Sequence, residues 1–230
     1  MENKIGIIGY GRFGQYLCNE LNVPSHNLIV DEYPLSEWSY KSYFERVKIV
    51  FICVPIRNFE DVCKKIKPFV REDTILIDVL SVKCFPKNVA KMYELEKNFI
   101  HTHPMFGPQS APNGTVGHPI VICSKLPEIV EDLFFNTMGM IRIDSSVEEH
   151  DEAVAETQVI NHVVGRAAKQ MGIERTKFAT LTHEKFMQIV DVVNGNSEEL
   201  FYDMIKYNPF AKDSITKFVL KMIEVSRITK

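Results

Sequence analysis

Three glycines near the start of the chain have the spacing that binds the pyrophosphate of a dinucleotide. Gly9, Gly11 and Gly14 form a G-x-G-x-x-G pattern directly after an isoleucine-rich run at 5–8. The first glycine of such a pattern permits a tight turn, the second leaves room for the pyrophosphate, and the third lets the next helix pack closely on the strand. The free N–H groups at the start of that helix favour phosphate. We therefore predict a dinucleotide site to which Gly9, Gly11, Arg12, Phe13 and Gly14 contribute.

The ends of the next two predicted strands add to this cofactor site. Asp31 and Glu32 follow the second strand, close to the roughly 20-residue spacing expected of the acid that binds the ribose. A carboxylate accepts hydrogen bonds from a free ribose diol and opposes a 2′-phosphate, which favours NAD over NADP. Val54 and Pro55 end the third strand and are predicted to line the same site.

Three further groups of polar residues could carry chemistry. Ser81 follows the fourth predicted strand and His103 follows the fifth, and ligands of a doubly wound sheet bind outside these carboxyl ends. Gln158 and His162 are spaced i, i+4 on a long helix, hence on one face, and Arg166 lies one turn further. Each group also has a structural interpretation, because Ser81 could cap a turn, His103 could be a buried structural histidine, and the helix residues could face solvent.

The elements that would position these residues alternate between strands and helices over the first 145 residues. Predicted strands lie at about 5–8, 27–31, 47–54, 74–79, 98–102, 119–123 and 140–143. Such alternation is typical of an α/β fold with a Rossmann-type doubly wound, mostly parallel sheet. Beyond residue 145 only helices are predicted, at about 145–171, 176–193, 197–207 and 210–229. We therefore expect a dinucleotide-binding domain at 1–145 and a small all-helical substrate and dimerisation domain at 146–230.

Composition excludes several other classes of protein. The 230-residue chain has a net charge of −3, so it has no overall attraction for nucleic acid or an anionic membrane surface. Its five cysteines are dispersed, as in reduced cytoplasmic proteins, and no metal-binding spacing is present. The first predicted strand begins near Lys4, so we expect no targeting peptide, and no apolar run reaches the ~18 residues of a membrane span.

The motifs at these positions make the chain resemble the prephenate and arogenate dehydrogenases of tyrosine biosynthesis. The resemblance rests on the glycine pattern, on Ser81-Val82-Lys83 and above all on His103-Pro104-Met105-Phe106-Gly107-Pro108. It continues through 149–151, 158–166, 196–202 and 207–208, and the last two groups look most like the plant-type arogenate dehydrogenases. The similarity extends from residue 4 to about residue 212.

The resemblance implies an NAD(P)-dependent oxidative decarboxylation of a cyclohexadienol. Hydride would leave the carbon that bears the hydroxyl, and the ring carboxylate would depart as CO2. One group must accept or polarise the hydroxyl proton, and a neutral histidine with an unperturbed pKa of about 6.5 suits this work. By the match, His103 takes this role, while Ser81 hydrogen-bonds the same hydroxyl or orients the imidazole. His101 is expected to pack.

The resemblance also implies substrate contacts from Gln158, His162, Arg166 and Asn196. Plant-type arogenate dehydrogenases tend to have an aspartate where this chain has Asn196, so the loss of that charge favours prephenate over arogenate. Asn196 has a structural alternative, since with Glu199 it forms a plausible helix cap.

One departure from the family pattern concerns the substrate carboxylate. Many bacterial members hold it with an arginine on a later helix, where this chain has Asp191-Val192-Val193-Asn194. We expect His162, Arg166, His183, Lys185 or a partner subunit to replace it.

The partner would be a second copy of the chain. The apolar residues Val159, Ile160, Val163, Val164, Ala167 and Met171 give the long helix more surface than about 60 further residues easily cover. The sequence therefore predicts a homodimer that binds a small-molecule substrate.

Two other functions remain open at this point. A different Rossmann reductase with a helical dimerisation domain would use a lysine of the long helix, where Lys169 is the candidate, although it lies off the face of Gln158 and His162. A non-catalytic NAD-sensing module would bind the cofactor without turning over either cyclohexadienol.

Overall fold

A seven-stranded sheet forms the centre of the first unit, Met1–His150. The computed structural model describes residues 4–29 and 37–227. Sheet order is β2-β1-β3-β4-β5-β6-β7, and every neighbouring pair is parallel except β5 with β6. The strands are β1 Ile5–Ile8, β2 Leu28–Ile29, β3 Ile49–Ile52, β4 Ile75–Asp78, β5 Phe99–Pro104, β6 Pro119–Ile122 and β7 Ile141–Asp144. The predicted α/β class with a doubly wound, mostly parallel sheet is confirmed.

Helices connect the strands, as buried parallel strands require. They are α1 Arg12–Glu20, α2 Glu37–Arg46, α3 Phe59–Ile66, α4 Cys84–Met92 and α5 Glu128–Glu131, which continues as a π-helical segment at Asp132–Thr137. Strands β1 and β3 are buried along their whole length, because neighbouring strands and helices cover them. The unbroken apolar runs seen in the sequence are therefore the interior of the sheet.

The second unit, Asp151–Lys230, is helical in its described part, and the division falls after 150 rather than after 145. Helix α6 Val147–Val154 passes through a π-helical segment, Ala155–Val159, into α7 Ile160–Gln170. The remaining helices are α8 Leu181–Asn194, α9 Glu198–Tyr207 and α10 Ala211–Arg227.

Two helix boundaries differ from the prediction for a local reason. Helix α8 begins at Leu181 rather than near 176, because the Thr180 hydroxyl accepts a hydrogen bond from the His183 N–H and caps it there. Helix α9 is capped by Ser197, whose hydroxyl accepts from the Leu200 N–H, so Asn196 is not the cap.

All five cysteines are free thiols. Cys63, on α3, is completely buried, and burial together with the nearby acids Asp78 and Glu60 raises its pKa to about 12. Among the described residues, no helix is long and apolar enough to cross a bilayer.

Candidate active site

A buried ion cluster lies where β4 ends beside β5. The Lys83 ammonium group contacts the Asp78 carboxylate and donates a 2.5 Å hydrogen bond to the Thr102 carbonyl, and Asp78 and Lys83 have fully buried side chains. His101 Nδ1 lies 2.5 Å from the other Asp78 oxygen, and its ring stacks on Phe99. Burial alone would raise the pKa of Asp78, but Lys83 and His101 outweigh it and lower that pKa. His101 therefore packs, as its position predicted.

His103 lies on the same strand and is paired with a second histidine. Its Nδ1 is 2.9 Å from His150 Nε2, and the two rings meet edge to face with centroids 5.1 Å apart. Both residues are buried. Burial, then His150, then Lys83 lower the pKa of His103 well below 6.5, so its imidazole is neutral at neutral pH. This is the protonation state that a proton acceptor needs.

Ser81 follows β4 at the same carboxyl edge of the sheet. Its Oγ is buried but has no hydrogen-bond partner among residues 4–29 and 37–227. Ser81 therefore does not orient the His103 imidazole, and of its two expected roles only the contact to a substrate hydroxyl is compatible with this geometry.

His150 is held in place by the start of α6. A capping box begins the helix: the Ser146 hydroxyl accepts from the Glu149 N–H at 3.1 Å, and the Ser146 N–H donates back to the Glu149 carboxylate at 3.4 Å. On α4, Lys87 pairs with Glu148 at 3.1 Å. Sequence reasoning used His150 only as part of a family motif, because nothing local indicates a contact between residues 47 positions apart.

The glycine turn fits the pyrophosphate of a dinucleotide. Gly9 has φ of +93°, which favours glycine, and its N–H donates to the Ile29 carbonyl at 2.9 Å. A Cβ on Gly14 would lie 2.1 Å from the Gly9 carbonyl oxygen, so α1 can approach the turn only because residue 14 is glycine. A Cβ on Gly11 would meet nothing within 4 Å, which leaves open space at the N-terminus of α1.

The other predicted cofactor residues have different surroundings. Arg12 is exposed at the first position of α1, and Phe13 packs against Tyr16 and Phe106, with ring centroids 6.0 and 6.3 Å away. After β3, Val54 is buried and Pro55 is exposed. Asp31 lies outside the described residues.

In the helical unit, His162 and Arg166 both lie against the ring of Phe201. The His162 ring stacks on Phe201 at 5.7 Å, and the Arg166 guanidinium lies 5.0 Å from the centre of the same ring. Arg166 Nη2 also donates to the carbonyls of Val193, Asn196 and Ser197 at 3.1 to 3.3 Å. Arg166 therefore braces the turn between α8 and α9, a structural role that sequence reasoning did not predict.

A cavity of about 280 Å³ lies against this turn. Its walls include Arg166, Asn196, Phe201 and Tyr202, so two of the four predicted substrate residues share one cavity. Burial and then Arg166 lower the pKa of His162 to about 4, and its Nδ1 has no hydrogen-bond partner among the described residues. His162 is therefore uncharged at neutral pH and lies next to the Arg166 guanidinium, which its hydrogen bonds hold in place.

Gln158 lies in the π-helical segment, where it is half-buried. A π turn contains one more residue than an α turn, so Gln158 and His162 do not keep the regular i, i+4 geometry of an α-helix. The prediction that the two side chains share one helix face depended on that geometry. His183 hydrogen-bonds the Glu174 carbonyl through Nε2 at 3.0 Å, and Lys185 and Lys169 are exposed.

Comparison with protein families matches residues 38–124 to the nucleotide-binding domain of prephenate dehydrogenase and residues 167–227 to the TYRAAT1-like C-terminal domain. Arogenate dehydrogenase 2, a chloroplastic protein of Arabidopsis thaliana, is 30% identical over 254 residues, and the match covers 97% of this chain and 69% of the relative. Arogenate dehydrogenase 1 of the same plant is 31% identical, with 94% of this chain and 37% of the relative covered.

Solved structures with the same fold include the prephenate dehydrogenase of A. aeolicus in complex with hydroxyphenyl propionate and NAD+. The superposition gives a TM-score of 0.74 at 16% identity and covers all of this chain and 91% of that one. At this identity the likeness concerns the fold.

Proposed function

The chain belongs to the family of prephenate and arogenate dehydrogenases, and we propose that it catalyses the NAD-dependent oxidative decarboxylation of prephenate to 4-hydroxyphenylpyruvate. The observation that carries this proposal is the pair formed by His103 and His150. It holds a buried, neutral imidazole at the edge of the sheet where the unpartnered Ser81 hydroxyl also lies.

His103 and Ser81 have different roles at the substrate hydroxyl. His103 Nε2 accepts the proton of the substrate hydroxyl, and a nicotinamide cofactor, when bound, would supply the acceptor for the hydride of the carbon that bears this hydroxyl. The Ser81 hydroxyl hydrogen-bonds the same oxygen and orients it. As the ring carboxylate departs as CO2, the ring becomes aromatic and the oxygen takes the proton back from His103. Because aromatisation supplies the driving force, the protein mainly positions the substrate.

The glycine turn and the start of α1 would hold the pyrophosphate of the cofactor. Gly11 leaves space there, and it is the N-cap of α1, whose N-terminus favours phosphate. The spacing of Asp31 from the glycine pattern, which is that of an acid that binds the ribose, supports NAD over NADP. Binding constants for the two cofactors test this, and tighter binding of NADP would contradict it.

Asn196 supports prephenate as the preferred substrate. Ser197 caps α9, so capping does not explain why residue 196 is asparagine. Asn196 instead lines the cavity beside Arg166. Arogenate carries an ammonium group that an aspartate here would attract, whereas the keto group of prephenate gains nothing from that charge.

Initial rates of NADH formation with prephenate and with arogenate test the function directly. We expect a higher kcat/KM for prephenate, and Asn196→Asp should move the ratio toward arogenate about ten-fold, or about 1.4 kcal/mol. Asn88→Asp is a matched control that should leave the ratio unchanged, because it introduces the same charge at an exposed site on α4 that does not line this cavity. Turnover of neither compound would contradict the proposed function.

We further propose a homodimer formed through the helical segment. Of the six residues on which this expectation was based, Val159 is buried, Ile160, Val163 and Val164 are half-buried, and Ala167 and Met171 are exposed. A larger apolar surface lies on α10, where Val219, Leu220, Met222, Ile223 and Val225 are each at least 42% exposed. Surfaces of this kind on a small helical unit are typical of subunit interfaces.

A cytoplasmic location is the proposal that fits the five free thiols. The Arabidopsis relatives are chloroplastic proteins. Fractionation of cells that express the natural gene tests this, and enrichment in an organelle would contradict it.

A further inference from the structure

We propose that His150 is a positioning residue that selects the reactive tautomer of His103. The inference rests on the proposed function for the identity of the proton that His103 accepts. It goes beyond that function because it assigns a task to a residue that would touch neither substrate nor cofactor in this scheme.

The argument begins with the short contact between the two rings. His103 Nδ1 and His150 Nε2 are 2.9 Å apart, within ordinary hydrogen-bond distance. A hydrogen bond between two imidazole nitrogens needs a proton on one and a lone pair on the other. Two arrangements are therefore open to the pair, and they differ in what remains at His103 Nε2.

Only one of these arrangements makes His103 a proton acceptor. If His103 donates from Nδ1, its Nε2 carries a lone pair that can take the hydroxyl proton. If His150 donates instead, His103 carries its own proton on Nε2 and cannot act as a base in the neutral state. The hydrogen bond on one nitrogen thus decides the function of the other.

The surroundings of His103 leave this task to His150. Ser81 Oγ makes no hydrogen bond within the described residues, and the ammonium group of Lys83 is directed at Asp78 and at the Thr102 carbonyl. His101 is itself held by Asp78. Of the described residues, His150 is the one that hydrogen-bonds the His103 imidazole.

The hydrogen bond from His103 Nδ1 to His150 Nε2 can persist throughout the reaction. The hydroxyl proton moves to His103 Nε2 and returns to the phenolic oxygen as CO2 leaves, while the Nδ1 proton stays on His103. His150 accepts from His103 in both states, and it accepts more strongly when His103 is positively charged. The charged state is therefore reached without rearranging the pair.

The tautomer can be observed without any substrate. In protein labelled with 15N-histidine, we expect the His103 ring, assigned by its loss in His103→Asn, to be protonated at Nδ1 and unprotonated at Nε2. His150→Leu removes the acceptor and should populate the Nε2-protonated form. It should also lower kcat about 10- to 100-fold while KM changes less than about two-fold.

Two further variants separate hydrogen bonding from packing. His150→Gln places an amide oxygen where it can accept from His103, and should restore the Nδ1-protonated form and most of kcat. His26→Leu, the same substitution at an exposed histidine, should leave both readouts at the wild-type values. Thermal unfolding shows whether each variant is folded.

Several results would overturn the proposal. A wild-type His103 protonated at Nε2 would do so even if His150→Leu failed to fold. Equal losses of kcat in the leucine and glutamine variants, with an unchanged tautomer, would reduce His150 to a packing residue. If the tautomer is as proposed but neither cyclohexadienol is turned over, the proposed function fails while the positioning role stands.

Discussion

Burial is the largest cause of the lowered pKa of His103 in the first unit and of His162 in the second. His103 is kept neutral by burial and by His150 and Lys83, so it would be ready to accept a proton well below pH 6.5. We therefore expect kcat/KM to remain constant as the pH falls to 6.5 and to decrease only at lower pH. A pH–rate profile checks this, and an acid limb centred at or above 6.5 would contradict it.

Removal of the His103 ring tests its proposed role as the base. His103→Ala should lower kcat by roughly 10²–10⁴, as is typical when a general base is lost, with little change in the affinity for NAD. Ser81→Ala should lower kcat less than His103→Ala does, since it removes one hydrogen bond to the substrate. Steady-state kinetics and cofactor titration provide the measurements. Normal turnover by the alanine variant would exclude His103 as the base.

His162 should make stability depend on pH. Its pKa is about 4 in the folded chain, against about 6.5 when unfolded. Between these values the unfolded chain binds a proton that the folded chain does not, so the free energy of unfolding decreases as the pH falls from about 6.5 toward 4. Urea titrations should show a smaller decrease from pH 6.5 to 5 in His162→Phe, which can still stack on Phe201. His26→Phe, at an exposed site, should behave as wild type, and identical pH dependence in all three proteins would refute the assignment.

At the scale of elements, local patterns were predictable from sequence and distant contacts were not. A capping box at the start of α6 can be recognised in the sequence because capping depends on residues three apart, although Ser145 with Glu148 fits the pattern as well as the observed pair of Ser146 and Glu149. The cap of α9 is Ser197 and not Asn196, the structural alternative considered for that residue, since both are good caps and local pattern does not choose between them. Pairing of His103 with His150 joins a strand to a helix 47 residues away, and no local signal encodes it.

The glycine turn offers a matched pair of substitutions. Gly14→Ala would place a Cβ 2.1 Å from a backbone oxygen, and overpacking of this kind typically costs about 1–3 kcal/mol. Gly11→Ala meets no atom within 4 Å, so stability should be unchanged while NAD binding weakens, because the methyl group occupies the pyrophosphate's space. Urea unfolding and NAD titration separate the two effects. Equal stability of the two variants would show that the contact of α1 with the turn does not depend on residue 14.

At the scale of the whole molecule, the alternation of strands and helices predicted both the sheet and the change to helices near residue 145. Periodicity carries no strand direction, so it could not identify β6 as antiparallel to β5. The π-helical segments could not be predicted from the sequence either, because the apolar residues of α5 and of the long helix have the spacing of an ordinary α-helix.

The apolar surface of α10 tests the dimer. Leu220→Glu, on this surface, should weaken self-association and yield monomers at micromolar concentration, since a charge would have to be buried in the interface. Lys221→Glu is the control, because Lys221 is an exposed, charged neighbour in the same helix. Sedimentation velocity distinguishes monomer from dimer, and a monomeric wild type would exclude the proposed dimer.

Because Cys63 is buried, the rate at which an alkylating reagent modifies it reports how often the sheet unit opens locally. The thiolate is the form that attacks an alkylating reagent, and because burial raises the pKa of Cys63 to about 12, very little of this thiol is ionised at pH 8. The side chain is also completely enclosed, so a reagent reaches it only when α3 separates from its neighbours. The rate at which Cys63 is alkylated therefore records how often that part of the protein opens, without any introduced label.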